Sequence, residues 1–167
     1  MTQAEWVICE RSSRWAAAVR TALKRACGAK PSAPRVFEVR QLGEVTERLK
    51  IQPNCLVLVE VNRANLGTVL AWLADGGRRH PGARFAALID GSLVPAAGSG
   101  PDDMRQQLLG VLYEAGAGDV IDSPRRLHGL LELGSRHAQR LSMRRSAPTA
   151  DMSPVDWAWS MLPWQGE

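Results

Sequence analysis

The side chains of this chain that could do chemistry gather at three places, each at the end of a short apolar run. Glu10-Arg11 follows WVIC, Glu60 and Asn62 stand at the end of LVLVEVN, and Asp119, Asp122, Ser123 and Pro124 fall in the phrase AGAGDVIDSP (115–124). Carboxylates hold a hard cation when several oxygens converge on it. With an arginine beside them they form a charge-assisted pair instead, and Arg11 is placed to pair with Glu60. Other chemistry is missing: there is no GxxxxGK(S/T), GxGxxG, HExxH or GxSxG motif. The AGAG of 115–118 precedes an apolar run rather than opening a helix after one, so it does not cradle phosphate. His80, His128 and His137 are scattered, and no metal or cofactor is expected.

Composition restricts the class of protein. With 167 residues, 45% apolar and 23% charged, the chain is neither disordered nor fibrous, and suits one domain with a tail. No apolar run approaches the ~20 residues that span a bilayer, and MTQAEWVICE lacks the basic start and apolar core of a secretory signal. Cys9 and Cys55 sit in apolar runs and Cys27 stands apart, so reduced cysteines and a cytoplasmic chain are expected. The net charge of +4 is concentrated in residues 1–50, which carry ten basic and five acidic groups.

Those residues must be positioned by regular elements, and the hydrophobic period supplies them. Strands are predicted at Trp6–Cys9, Arg35–Val39, Cys55–Val61, Arg84–Ile89 and Asp119–Ile121. CLVLVEV is almost continuously apolar, as a central strand buried on both faces reads. Helical spacing fills the gaps. Residues 13–27 align Trp15, Val19, Leu23 and Ala26, with Ser12 or Ser13 as cap; residues 42–50 align Leu42, Val45 and Leu49, with Glu44 placed to pair with Arg48. Residues 66–75 align Leu66, Val69, Leu70 and Leu73 and stop at Gly76-Gly77; residues 102–115 align Met104, Leu108 and Leu112. Residues 125–141 align Leu127, Leu130, Leu131, Ala138 and Leu141 behind Ser123 as cap and Pro124 at the first helical position. Residues 90–101 read as a loop. Five strand–helix repeats predict an α/β, doubly wound, five-stranded parallel sheet with helices on both faces.

The order of elements and the AGAxDxxxxP phrase resemble the receiver domain of bacterial two-component response regulators, over residues 5–141. The resemblance implies a strand order of 2-1-3-4-5 and a pocket at the carboxyl ends of strands one, three, four and five. In that family two acids after strand one hold Mg²⁺ and an Asp ending strand three accepts phosphate. A hydroxyl residue ends strand four, and a Lys before Pro contacts the phosphoryl group. Here the corresponding positions are Glu10-Arg11 (or Cys9-Glu10 if the register slips by one), Glu60, Ile89 and Ser123, followed by the expected Pro124. Asn62 alone matches in identity, at the position that lends the metal a backbone carbonyl. One of the two metal acids is therefore a cation, and nothing neutralises charge on a transferring phosphoryl group.

The expectation is a degenerate, pseudo-receiver domain over 1–141 that binds a partner protein or a second copy without phosphorylation or catalysis. The resemblance implies an output face within 102–141. The alternative is a nucleic-acid-associated regulator using Arg14, Arg20, Lys24, Arg25 and Lys30. Residues 142–167 read as a linker followed by an aromatic segment. Trp157, Trp159, Met161 and Trp164 are expected to dock, on the same domain or on another chain.

Overall fold

The structure, a computed structural model, describes residues 4–28, 33–93 and 101–146. Five parallel strands, β1 (Glu5–Cys9), β2 (Arg35–Val39), β3 (Leu56–Val61), β4 (Arg84–Ile89) and β5 (Asp119–Ile121), pair in the order β2-β1-β3-β4-β5. Five α-helices connect or follow them: α1 (Arg14–Cys27), α2 (Leu42–Ile51), α3 (Leu66–Arg79), α4 (Pro101–Glu114) and α5 (His128–Ser146). This is the doubly wound sheet that the alternation predicts.

Strand period divides the core into two layers. Val7, Val57, Val59, Phe85 and Ala87 face α2, α3 and α4, whereas Trp6, Ile8, Leu56, Leu58 and Leu88 face α1 and α5. Every residue of β3 is buried, because helices cover both of its faces. Each buried large apolar side chain contributes ~1.5–3 kcal/mol, so β3 anchors both layers at once.

Four local expectations change. Gly76-Gly77 does not stop α3: Gly76 is buried against the Phe85 ring, where its missing side chain lets helix and strand approach, and the helix ends just before His80-Pro81. Arg48 leaves Glu44 and instead reaches across to Glu5 at 2.8 Å while stacking over the Phe37 ring. Met104 is 57% exposed, since α4 turns Leu112 rather than Met104 into the core. Ser123 caps a separate 3₁₀ turn, Pro124–Arg126, so α5 starts at His128; it then runs through Ser146, making 142–146 helix rather than linker. The tail residues Trp157, Trp159, Met161 and Trp164 lie outside the described residues, as do Lys30 and most of the 90–101 loop.

The AGAG phrase has a packing reason. Gly116 takes φ +107° as its amide meets the Tyr113 carbonyl, and Ala117 returns a bond to the Leu112 carbonyl, closing α4. Gly118 then donates to the Phe85 carbonyl at 2.7 Å and leads into β5. On α5, a side chain at Gly134 would place Cβ 2.3 Å from the Trp6 indole, whereas one at Gly110 meets nothing within 4 Å. Gly134→Ala is therefore expected to lower stability by about 1–2 kcal/mol through overpacking. Gly110→Ala should raise it by about 0.5–1 kcal/mol through helix propensity. Urea unfolding midpoints of the two variants check the opposite signs.

Candidate functional site

At the carboxyl edge, β1 and β3 end side by side: Cys9 pairs with Val59, which brings the next residues, Glu10 and Glu60, to the same level. Glu10 is 2% exposed, so its carboxylate must find donors. It takes them from the backbone of α1, accepting from the Trp15 amide at 2.8 Å and the Ala16 amide at 2.5 Å. These are orphan amides of the helix's first turn, and a negative charge there also meets the positive end of the helix dipole. Glu10 therefore caps α1 at Trp15 and Ala16; of the two serines expected in that role, Ser12 accepts the Arg14 amide at 3.4 Å and Ser13 makes no side-chain cap bond.

Ser13 instead adopts φ 59°, the left-handed region, and its hydroxyl donates to Glu38. Arg40, just past β2, holds the turn from the other side. One guanidinium nitrogen donates to the carbonyls of Glu10 and Arg11 at 3.0 and 2.9 Å, and the other to the Ser13 hydroxyl at 2.8 Å. Glu38 completes the cluster with Arg40 at 2.7 Å and Arg20 at 3.3 Å. The Ser13 hydroxyl foremost, then the Arg40 and Arg20 charges, hold the Glu38 carboxyl below its ordinary value against the opposing effect of burial.

The expected Arg11–Glu60 ion pair does not form. Glu60 accepts the backbone amide of Arg11 at 3.0 Å, and the Arg11 side chain is exposed. The turn after β1 points the amide inward, so Glu60 is bonded without drawing a guanidinium out of water. Asn62 is likewise occupied. Its side-chain oxygen accepts from the Ala64 and Asn65 amides, and its carbonyl from those of Asn65 and Leu66, while Asn65 returns a side-chain bond to the Asn62 amide at 2.8 Å. The two asparagines build the entry to α3.

Ile89 is buried at the end of β4, and Ser123 accepts the Arg125 amide beside Pro124. Asp122 is engaged by Arg105 and, at 3.5 Å, by Arg126. A cavity of about 410 Å³ brings together Cys9, Glu10, Arg11, Arg40, Glu60 and Asn65. Asn62, Ile89, Ser123 and Pro124 do not line it, so the expected constellation is divided, and the open space sits towards α2 and α3. Burial foremost, with Glu44, Glu60 and Glu10 nearby, pushes the Cys9 thiol up to about 11. Arg40, Glu38 and Asn65 are not among the expected site residues, and Ser13 is expected only as a cap; the charge of Arg40 directly after FEV is the one sequence signal for this cluster.

The receiver pattern implies Mg²⁺, and these residues do not fit it. Both Glu10 oxygens, one Glu60 oxygen and the Asn62 carbonyl already accept backbone amides. Among the described residues no three His, Cys, Asp or Glu side chains form a metal-binding group. An octahedral ion needs several free hard oxygens.

No family model and no curated protein matches the chain. Solved structures do. A response regulator from Thermotoga maritima superposes with a TM-score of 0.61 at 20% identity, over 83% of this chain and 99% of its own. A CheY-like protein (tadZ) from Pseudomonas aeruginosa gives 0.55 at 18% identity, over 92% and 100%. A putative pilus assembly-related protein from Burkholderia pseudomallei gives 0.52 at 21% identity, over 81% and 90%. The chain folds as a receiver-like domain.

Glu10→Ala leaves two first-turn amides without their acceptor and is expected to cost about 1–3 kcal/mol. Glu60→Gln keeps an acceptor for the Arg11 amide and should cost about 1 kcal/mol or less. Chemical denaturation of both variants checks that order. Because folding lowers the Glu38 carboxyl, its ionised form stabilises the native state above the ordinary value of 4.5 and stops doing so as pH falls through the lowered value. Glu38→Gln should thus lower the melting temperature at pH 7, and the gap to the unchanged protein should close in acid, as calorimetry across pH would read.

Proposed function

We propose that this chain is a phosphorylation-independent, non-enzymatic receiver-like signalling or scaffolding module that acts by binding another protein. The observation that carries this reading is the internal satisfaction of its pocket: Glu10 and Glu60, at the metal and acceptor positions, are bonded to the chain's own amides. Ile89 and Ser123 stand where the hydroxyl and the Lys would be. With Ser123 at the Lys position and the Arg40 guanidinium committed to the Glu10 and Arg11 carbonyls and to Glu38, the Glu60 carboxylate lacks the charge neutralisation that phosphoryl transfer requires.

Partner binding draws support from α4. Met104 and Val111, seven residues apart and so on one side of the helix, are both exposed, within the 102–141 face that the receiver resemblance implies for output. A described apolar pair of this kind suits a protein surface better than a nucleic acid. The basic first helix draws less support, because Arg20 is paired with Glu38 and Arg14 lies 4.0 Å from Asp90. Cys9 and Cys55 are free and buried, in keeping with a reducing, cytoplasmic setting. No helix among the described residues is long and apolar enough to cross a membrane.

The test is incubation with acetyl phosphate and Mg²⁺ followed by intact-mass measurement. The mass should not change, and a base-labile acyl phosphate mapped to Glu60 would overturn the reading. Met104→Glu with Val111→Glu should weaken partner binding at least about tenfold, a loss of ~1.4 kcal/mol or more, with the melting temperature preserved. Undiminished binding would remove α4 from the interface.

A further inference from the structure

On the far side of the sheet from α4, a groove of about 310 Å³ opens between α1 and α5. Its walls are Leu23 and Ala26 of α1 and Leu131, Gly134 and Ala138 of α5, with the Trp6 indole at its base. Helical period places Ala26 and Ala138 on core-facing sides, yet both are exposed. Gly134 packs directly on the buried Trp6 ring, while the short side chains of Ala26 and Ala138 leave the slot between the two helices unfilled.

We infer that the groove is the docking site for this chain's own C-terminal segment, residues 147–167, held through its tryptophans. Three observations select that occupant over a foreign one. The first is composition: the segment contains Trp157, Trp159 and Trp164 with Met161 and Leu162, and an aromatic ring is the kind of group that fills an apolar slot of this size. The second is charge. The segment carries Asp151, Asp156 and Glu167 and no cation, whereas α1 and α5 together carry eight arginines and lysines and one acid, Glu132; Arg14 and Arg20 are engaged by Asp90 and Glu38, and the balance stays positive. Opposite signs favour the encounter and fix its register. The third is reach. The groove's last wall residue, Ala138, lies eight residues before the end of α5 at Ser146, ~12 Å back along the helix. The ten residues from Ala147 to Asp156 extend to as much as ~33 Å, so Trp157 returns with chain to spare. Tethering keeps the local concentration near the millimolar range, above that of any free competitor.

This inference stands apart from the proposed function, which rests on the pocket and on α4. Cys27, half-buried in the groove wall, is a built-in reporter, while Cys9 and Cys55 are buried elsewhere. The experiment measures Cys27 modification by a maleimide under native conditions in three full-length proteins: unchanged, Ala138→Glu, and the triple variant Trp157→Ala, Trp159→Ala, Trp164→Ala. Both variants should label at least about tenfold faster than the unchanged chain, as expected if docking is favoured by ~1.4 kcal/mol or more, with Cys9 and Cys55 still protected as proof of folding. The unchanged rate should not depend on protein concentration. Equal rates in the unchanged and triple-Trp proteins would overturn the inference. So would protection that rises with concentration alongside a dimer in sedimentation, which would assign the groove to a second copy.

Discussion

A buried carboxylate cannot remain without donors, and the bonding of Glu10 organises the edge of this molecule. Its two oxygens take the amides of Trp15 and Ala16, which sets where α1 begins and brings Trp15, Val19 and Leu23 onto the sheet. The same bonds require a sharp turn between β1 and α1, and Ser13 makes it in the left-handed region. That turn aims the Arg11 amide at Glu60 and leaves the Glu10 and Arg11 carbonyls to Arg40. One acid thereby ties β1, β2, β3 and α1 together.

The functional consequence is chemical. A pocket whose acids are free can exchange water for a metal ion; one whose acids are capped by amides must first break those bonds. In this chain the acids at the edge of a receiver-like sheet serve as structural acceptors, and Arg40 braces the turn between them. The cavity that remains lies towards α2 and α3, displaced from Ile89 and Ser123. Two-sided burial of β3 anchors both layers of the core, and the Glu10 bonds at the edge seat α1 on one of them.

Much of the fold was legible from hydrophobic period alone. All five strands fall within a residue of their expected limits, since an apolar run of five or six residues has few ways to be buried. Element ends were less legible. The Gly76-Gly77 pair reads as a stop, but Gly76 is there to admit Phe85. Met104 reads as core because period identifies an apolar stripe without saying how the helix is rotated on its sheet.

The site divides in the same way. Sequence by itself determined the strand-end positions of Glu10, Glu60, Asn62, Ile89 and Ser123, because these depend on local alternation and on the AGAGDVIDSP phrase. Those residue types are also what the proposal of a phosphorylation-independent module starts from. Only the tertiary structure decided the bonding: that Glu10 caps a helix, that Glu60 takes the Arg11 amide rather than its guanidinium, and that Arg40 closes the turn. A residue's type states which bonds it can make. Which amide faces it depends on the path of backbone that other segments hold in place: the Arg11 amide lies 49 residues from Glu60, and Arg40, which braces the turn between Glu10 and the amides it accepts, lies 30 residues from Glu10.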